Sequence, residues 1–155
     1  MTTMHTLRPM VASDYPALIA LWKQIEGVGL GPGDDEQSVA AFLQRNRGLS
    51  PVVIDDSGTL IGGAMCGHDG RRGCIYHLAV HPDYRGRAIG RALVDFCLAG
   101  LAREGIRRCN AIVYAKNANA QSFWSHLGWR QRVDVVQFQR EIAGPSDAPR
   151  SSGKT

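Results

Sequence analysis

Between His81 and Arg91 the chain reads HPDYRGRAIGR, which sets Arg85, Arg87 and Arg91 around Gly86, Ala88 and Gly90. Cationic side chains interleaved with residues of little bulk suit one kind of chemistry. A phosphate or pyrophosphate can be held there by guanidinium groups and by backbone N–H groups that nothing shields. A chain offers such N–H groups where a helix begins, because the first four lack intrahelical partners and point the same way. A solvated, arginine-rich helix start in which glycine serves only the turn fits the same residues, so the neighbouring elements have to decide.

The pattern around the stretch predicts the required junction: a strand over Cys74–Val80, a break at His81-Pro82, and a helix from Ile89 to Arg103 stopped by Gly105. Upstream, His5–Met10 reads as a short strand. Ser13 is placed to cap a helix whose Leu18, Leu21, Trp22 and Ile25 share one face. The run from Glu26 to Gly33 is too rich in glycine to continue that helix and reads as a mobile loop in a position to cover a site; Asp34 or Asp35 then starts a second helix through Val39, Phe42 and Leu43. Pro51–Asp55 and Leu60–Cys66 form a hairpin about the turn Asp56-Ser-Gly58, and His68–Gly73 turns the chain into the Cys74 strand. Downstream come a strand over Cys109–Tyr114, a helix from Asn119 to Leu127 stopped by Gly128, and a closing strand over Val133–Phe138. The order predicts an α/β fold of the α+β type: a mixed, mostly antiparallel sheet of about six or seven strands with helices on both faces. One domain spans 1–142, and a Ser-, Pro- and Gly-rich tail over 143–155 reads as disordered.

Composition narrows the chemistry. A chain of 155 residues with 44% hydrophobic content buries one sizeable core. It has no apolar run long enough to span a bilayer and no signal-like amino terminus, which places it in the cytoplasm and away from membranes. The four cysteines, Cys66, Cys74, Cys97 and Cys109, form no CxxC pair, so neither zinc nor any other metal is expected; Cys66 and Cys74 flank a hairpin but are read as reduced. The net charge of +4 favours an acidic partner. The arginines are scattered rather than striped and match no nucleic-acid motif, which argues against a nucleic-acid partner.

The stretch VHPDYRGRAIGRAL resembles the acyl-CoA-binding motif Q/R-x-x-G-x-G/A of the GNAT superfamily of N-acetyltransferases, with Arg85 first and Gly90 last. Asn117–Trp129 is similar to the family's N-x-x-A-x-x-F-Y-x-x-x-G-F segment at the correct distance downstream. The hairpin GHDGRRG before YHLAVHP looks like a bacterial group within the superfamily. The resemblance implies acetyl-CoA as cofactor and a central strand pair that splays to admit it. Pantetheine would pair with the opened edge at Leu78, Ala79 and Val80, and the pyrophosphate would lie on the turn Arg85, Gly86, Arg87, Ala88, with Ile89, Gly90 and Arg91 opening the helix. Asn117, Ala120, Phe123 and Trp124 would complete the cofactor site.

Two departures stand out. Ala88 replaces a glycine, which is harmless in a helical backbone and strained at positive φ. Trp124 replaces a tyrosine that protonates the departing thiolate, and indole is no acid near neutral pH. The family's acid–base positions on the central strand correspond here to Cys74 and Tyr76, of which Tyr76 is the catalytic candidate. Strict alternation would put both on the face of Leu78 and turn His77 the other way, toward packing or solvent. Trp22, Glu26 and Asp34, with His68, Asp69, Arg71 and Arg72 of the hairpin turn, are candidates to meet an amine acceptor on a small molecule or peptide. The implied activity is acetyl transfer to a primary amine by direct attack in a ternary complex. A non-catalytic acyl-CoA-binding regulatory module is the alternative, and a homodimer is left open.

Overall fold

A computed structural model describes residues 5–86 and 88–145. Five strands occur among them: β1 (Thr6–Pro9), β2 (Pro51–Ile54), β3 (Leu60–His68), β4 (Gly73–Val80) and β5 (Cys109–Ala111). They lie side by side in chain order, antiparallel except that β5 runs parallel to β4. The α-helices are α1 (Tyr15–Gln24), α2 (Glu36–Arg45), α3 (Ile89–Arg103) and α4 (Ala118–His126). The arrangement is the expected mixed, mostly antiparallel sheet with fewer strands.

Each face of the sheet has its own helices. Leu18, Leu21 and Trp22 of α1, at helical spacing, join Val39 of α2 in packing on Val52, Met65 and Ala79. On the other face Leu93 of α3 meets Val53 and Ile61, while Val94, Cys97 and Leu101 meet Ala64, Cys66 and Ile75. Leu18 and Leu93 are wholly buried, so truncating either to alanine removes roughly 2–5 kcal/mol.

Several expectations are corrected. Val133–Phe138 forms no strand: its backbone pairs with nothing among the described residues, and Val133, Val136 and Phe138 are 81–93% exposed. Alternation of apolar residues signals a strand only where an edge receives it, and β5 pairs over three residues rather than reaching Tyr114. Ser13 does not cap α1, because a 3-10 turn over Ala12–Asp14 comes first and leads straight into the helix. Cys66 lies opposite Ile75, not Cys74, and all four thiols are free. The expected disordered tail lies outside the described residues from 146 onward, as does Arg87.

Candidate functional site

Parallel pairing of β4 with β5 stops at Ile75 opposite Ala111, so the strands part from Tyr76 onward. The backbone of Leu78–Val80 therefore presents an unpaired edge to the gap, where an extended amide-bearing chain can add as a short strand. At the far end of that edge the chain turns through His81–Gly86 into α3. The turn is braced by Tyr84, whose hydroxyl donates to Asp55 at 2.9 Å. The Ser57 hydroxyl, the Thr59 N–H and then Tyr84 hold the Asp55 carboxyl down to about 2.

The start of α3 is open in a way that the starts of α2 and α4 are not. Asp35 caps α2 by accepting from the Ser38 N–H at 3.1 Å, and Asn117 caps α4 by accepting from Ala120 at 3.0 Å. At α3 the cap position is Ala88, which has no side chain to offer. The leading N–H groups of Ile89, Gly90 and Arg91 have no partner outside the helix among the described residues. Arg85 and Arg91 are exposed and make no ion pair among the described residues. Gly86 has φ +79, and a Cβ there would meet nothing, so its demand is purely conformational. Gly90 answers a different need: a Cβ would stand 2.9 Å from the Phe123 ring of α4. Ala88 has φ +61, the strained case, at a cost of about 1 kcal/mol or more.

Trp124 packs between Phe123 and Trp129, with ring centroids at 5.4 and 4.5 Å. Ala120 lies one turn back on the same helix. The Asn117 amide is also crowded against Gly27, and Gly29 passes so close to the Tyr114 hydroxyl that a Cβ would collide with it. The glycine-rich connection between α1 and α2 thus reaches across to the segment between β5 and α4 because it lacks side chains.

The other side of β4 holds what sequence alternation could not place. The β3–β4 register shifts by one residue between Gly63 and Met65, which sets His77 and Leu78 together opposite Ala64. This β-bulge reverses the parity beyond it. Leu78 joins the α3 face, whereas Tyr76, His77 and Ala79 all look toward α1 and α2. The expectation that Tyr76 and Leu78 share a face is overturned. His77 has φ +51 and bonds through Nε2 to Asp34 at 2.8 Å, while its ring lies 4.9 Å from Trp22. Asp34 is fixed in turn: its other oxygen accepts from the Gly31 N–H at 2.8 Å, and its carbonyl accepts from Tyr15 at 2.7 Å. The Trp22 indole N–H is buried with no partner among the described residues.

Tyr76 stands edge-on to Phe42 of α2, centroids 6.2 Å apart, and is 41% exposed. Burial of its inner part, then a hydrogen bond with Cys74, pushes the phenol well above the usual tyrosine range; burial also pushes the Cys74 thiol up. Neither is a base near neutral pH, and the Tyr76 phenol keeps a proton to donate.

Of the acceptor candidates, Trp22 and Asp34 come together at His77, and Glu26 sits exposed at the end of α1. The hairpin turn is elsewhere. His68 pairs with Glu104 behind α3 at 3.0 Å, Asp69 accepts from the N–H groups of Arg71 and Arg72 within its own turn, and both lie beyond the opposite end of β4. Sequence reasoning missed His77, because the extra residue of β4 shows only in its pairing with β3 and leaves no signal in the strand itself.

The acetyltransferase (GNAT) family model matches residues 15–129. The chain belongs to the GNAT family. An acetyltransferase of Sodalis glossinidius is 32% identical over 130 residues, covering 83% of this chain and 89% of that protein. One of Pectobacterium atrosepticum is 34% identical over 130 residues with the same coverage. Among solved structures, aminoglycoside N-acetyltransferase AAC(6')-Iy in complex with CoA superposes with a TM-score of 0.71 at 19% identity, covering 92% of this chain and 98% of that one. The likeness extends over the whole GNAT fold, and this GNAT chain is an acyl-CoA-dependent acetyltransferase.

Proposed function

We propose that the protein is an N-acetyltransferase that moves the acetyl group of acetyl-CoA directly to a primary amine of a small molecule or peptide. The observation that carries this reading is the succession of two unpaired backbone surfaces, the Leu78–Val80 edge and, one turn further along the chain, the uncapped start of α3. The residues fit the cofactor. The N–H groups at Ile89–Arg91 and the Arg85 and Arg91 side chains suit a pyrophosphate, with Gly86 giving the backbone its turn; the open edge suits the pantetheine amides, and Asn117, Ala120, Phe123 and Trp124 wall the arm. Each charge-assisted bond is worth on the order of 1.5–3 kcal/mol, so a few anchor the cofactor without much side-chain recognition. Arg87 belongs to the same turn by sequence alone.

Acetyl-CoA supplies an activated acetyl thioester. The chain positions the amine against it, and Tyr76, held protonated, donates toward the sulfur. Trp124 packs the wall and is not an acid. Residues 1–142 form the catalytic domain, and the reading requires neither a metal nor a nucleic-acid partner. A panel of small amines and peptides incubated with acetyl-CoA should release free thiol in an amine-dependent way. Thiol release that no amine accelerates would defeat the reading.

A further inference from the structure

We infer that His77, oriented by Asp34, is the general base that takes the proton from the acceptor amine. This rests on the acetyltransferase reading above. An ionised carboxylate only accepts hydrogen bonds, and the Gly31 N–H already donates to the second oxygen of Asp34. The ring nitrogen facing Asp34, Nε2, must therefore carry the proton. That choice of tautomer leaves a lone pair on Nδ1, which has no hydrogen-bond partner among the described residues and, unlike the Trp22 indole, is not sealed from the surface.

The ring is held at three points: the Asp34 bond, the Trp22 face and the bulge itself. His77 is one of only two non-glycine residues with positive φ among those described. A backbone outlier kept in place by surrounding structure is the usual sign of a side chain aimed for a purpose. Its location supplies the purpose. A cofactor entering with its phosphates at α3 runs its arm along Val80 toward Leu78, so its reactive end stops where the β4–β5 gap closes, at Tyr76–Leu78.

Bonds and protons balance. The lone pair of a neutral amine forms the N–C bond to the acetyl carbonyl carbon, the C–S bond breaks with its electron pair going to sulfur, and the nitrogen's surplus proton passes to His77 Nδ1. The imidazolium sits beside Asp34 until it releases the proton to water, while sulfur gains one through Tyr76, which is replenished from solvent. The titratable groups around His77 are Asp34 from the α1–α2 connection, Tyr15 of α1 that donates to the Asp34 carbonyl, and Tyr76 on β4 with Cys74 bonded to it. Trp22 of α1 and Ala64 of β3 pack against it uncharged, and Phe42 of α2 packs on Tyr76 beside it.

The test uses the whole chain, acetyl-CoA and the best amine of the panel. His77→Asn keeps a residue type that tolerates the left-handed backbone, and Asp34→Asn can donate to Nε2 and so favour the wrong tautomer. Both should lower kcat/KM by roughly 10²–10⁴-fold while acetyl-CoA still raises the melting temperature as in wild type. The acid-side fall of kcat/KM should vanish in His77→Asn. Nitrogen-15 spectra of the wild-type ring should show the proton on Nε2 near neutral pH and the second proton added at Nδ1. Wild-type turnover with an intact acid limb in His77→Asn, or an Nδ1–H ring in the resting protein, would overturn the assignment. If His77→Asn fails to fold, the wild-type spectra decide. A wild-type protein that shows no melting shift in acetyl-CoA defeats the underlying reading instead, so the two failures are separable.

Discussion

The start of α3 and the bulge in β4 each turn on one non-glycine residue in the left-handed region, Ala88 at φ +61 and His77 at φ +51. They are built on opposite plans. At α3 every working group is local in sequence, and most are backbone: strain at Ala88 opens the turn and leaves N–H groups free. At the bulge the working groups are side chains from α1, the α1–α2 connection and β4, brought together across 43 residues between Asp34 and His77. An anion is well held by backbone dipoles that can be encoded in a short motif. A proton acceptor has to be a particular side chain in a particular tautomer, which only tertiary contacts can fix.

This contrast can be broken most sharply at Gly90. Gly90→Val should abolish the melting shift in acetyl-CoA and cost about 1–3 kcal/mol of stability, since the Phe123 ring stands where the new side chain must go. Pairing Gly90→Ala with Phe123→Leu, and comparing the pair with Phe123→Leu alone because Phe123 also walls the cofactor arm, separates the two causes. Recovery of both stability and the shift would reduce Gly90 to a packing residue, whereas recovery of stability alone would confirm that the cofactor also approaches there.

The next largest effect belongs to the bulge side. Tyr76→Phe should lower kcat about ten- to a hundredfold with cofactor affinity unchanged, whereas Trp124→Phe, packed between Phe123 and Trp129, should retain most of it. Because the Tyr76 phenol is pushed up, it stays protonated beyond the ordinary tyrosine range near pH ~10. Wild-type kcat should show no alkaline fall from this group below that point. A fall between pH ~8 and ~9 that Tyr76→Phe removes would contradict the assignment.

Arg85→Ala and Arg91→Ala should each weaken acetyl-CoA about tenfold, more at low salt than at high, and leave the acid limb of the rate profile in place. A change in that limb would mean that the two regions are not separate. The smallest effect is Ala88→Gly: relief of the left-handed alanine should stabilise the protein by on the order of 0.5–1 kcal/mol in denaturant melts, with no loss of turnover.

How far the sequence could be read follows the same division. The Arg85–Arg91 turn, the bounds of α3 and its stop at Gly105 were all legible, because each depends on residues within a few positions. The helices on both faces followed from apolar spacing. Alternation failed where one extra residue in β4 changed the parity, turning Leu78 away from Tyr76 and His77 toward Trp22. It failed again at Val133–Phe138, where the pattern is present and no edge receives it. The Asp34–His77 contact had no local signal at all: of the two aspartates read as a start for the second helix, Asp35 caps it and Asp34 locks the connection that leads to it.

The account rests on a cofactor held chiefly by backbone groups of the Leu78–Val80 edge and the start of α3, and amide chemical shifts report on those groups directly. Titrating acetyl-CoA into nitrogen-15-labelled protein should move the amides of Leu78, Val80, Gly86, Ala88, Gly90 and Arg91 most, with smaller changes at His77 and little at Asp69–Arg72. Large shifts elsewhere, with the amides of Leu78–Val80 and Ala88–Arg91 unmoved, would contradict it.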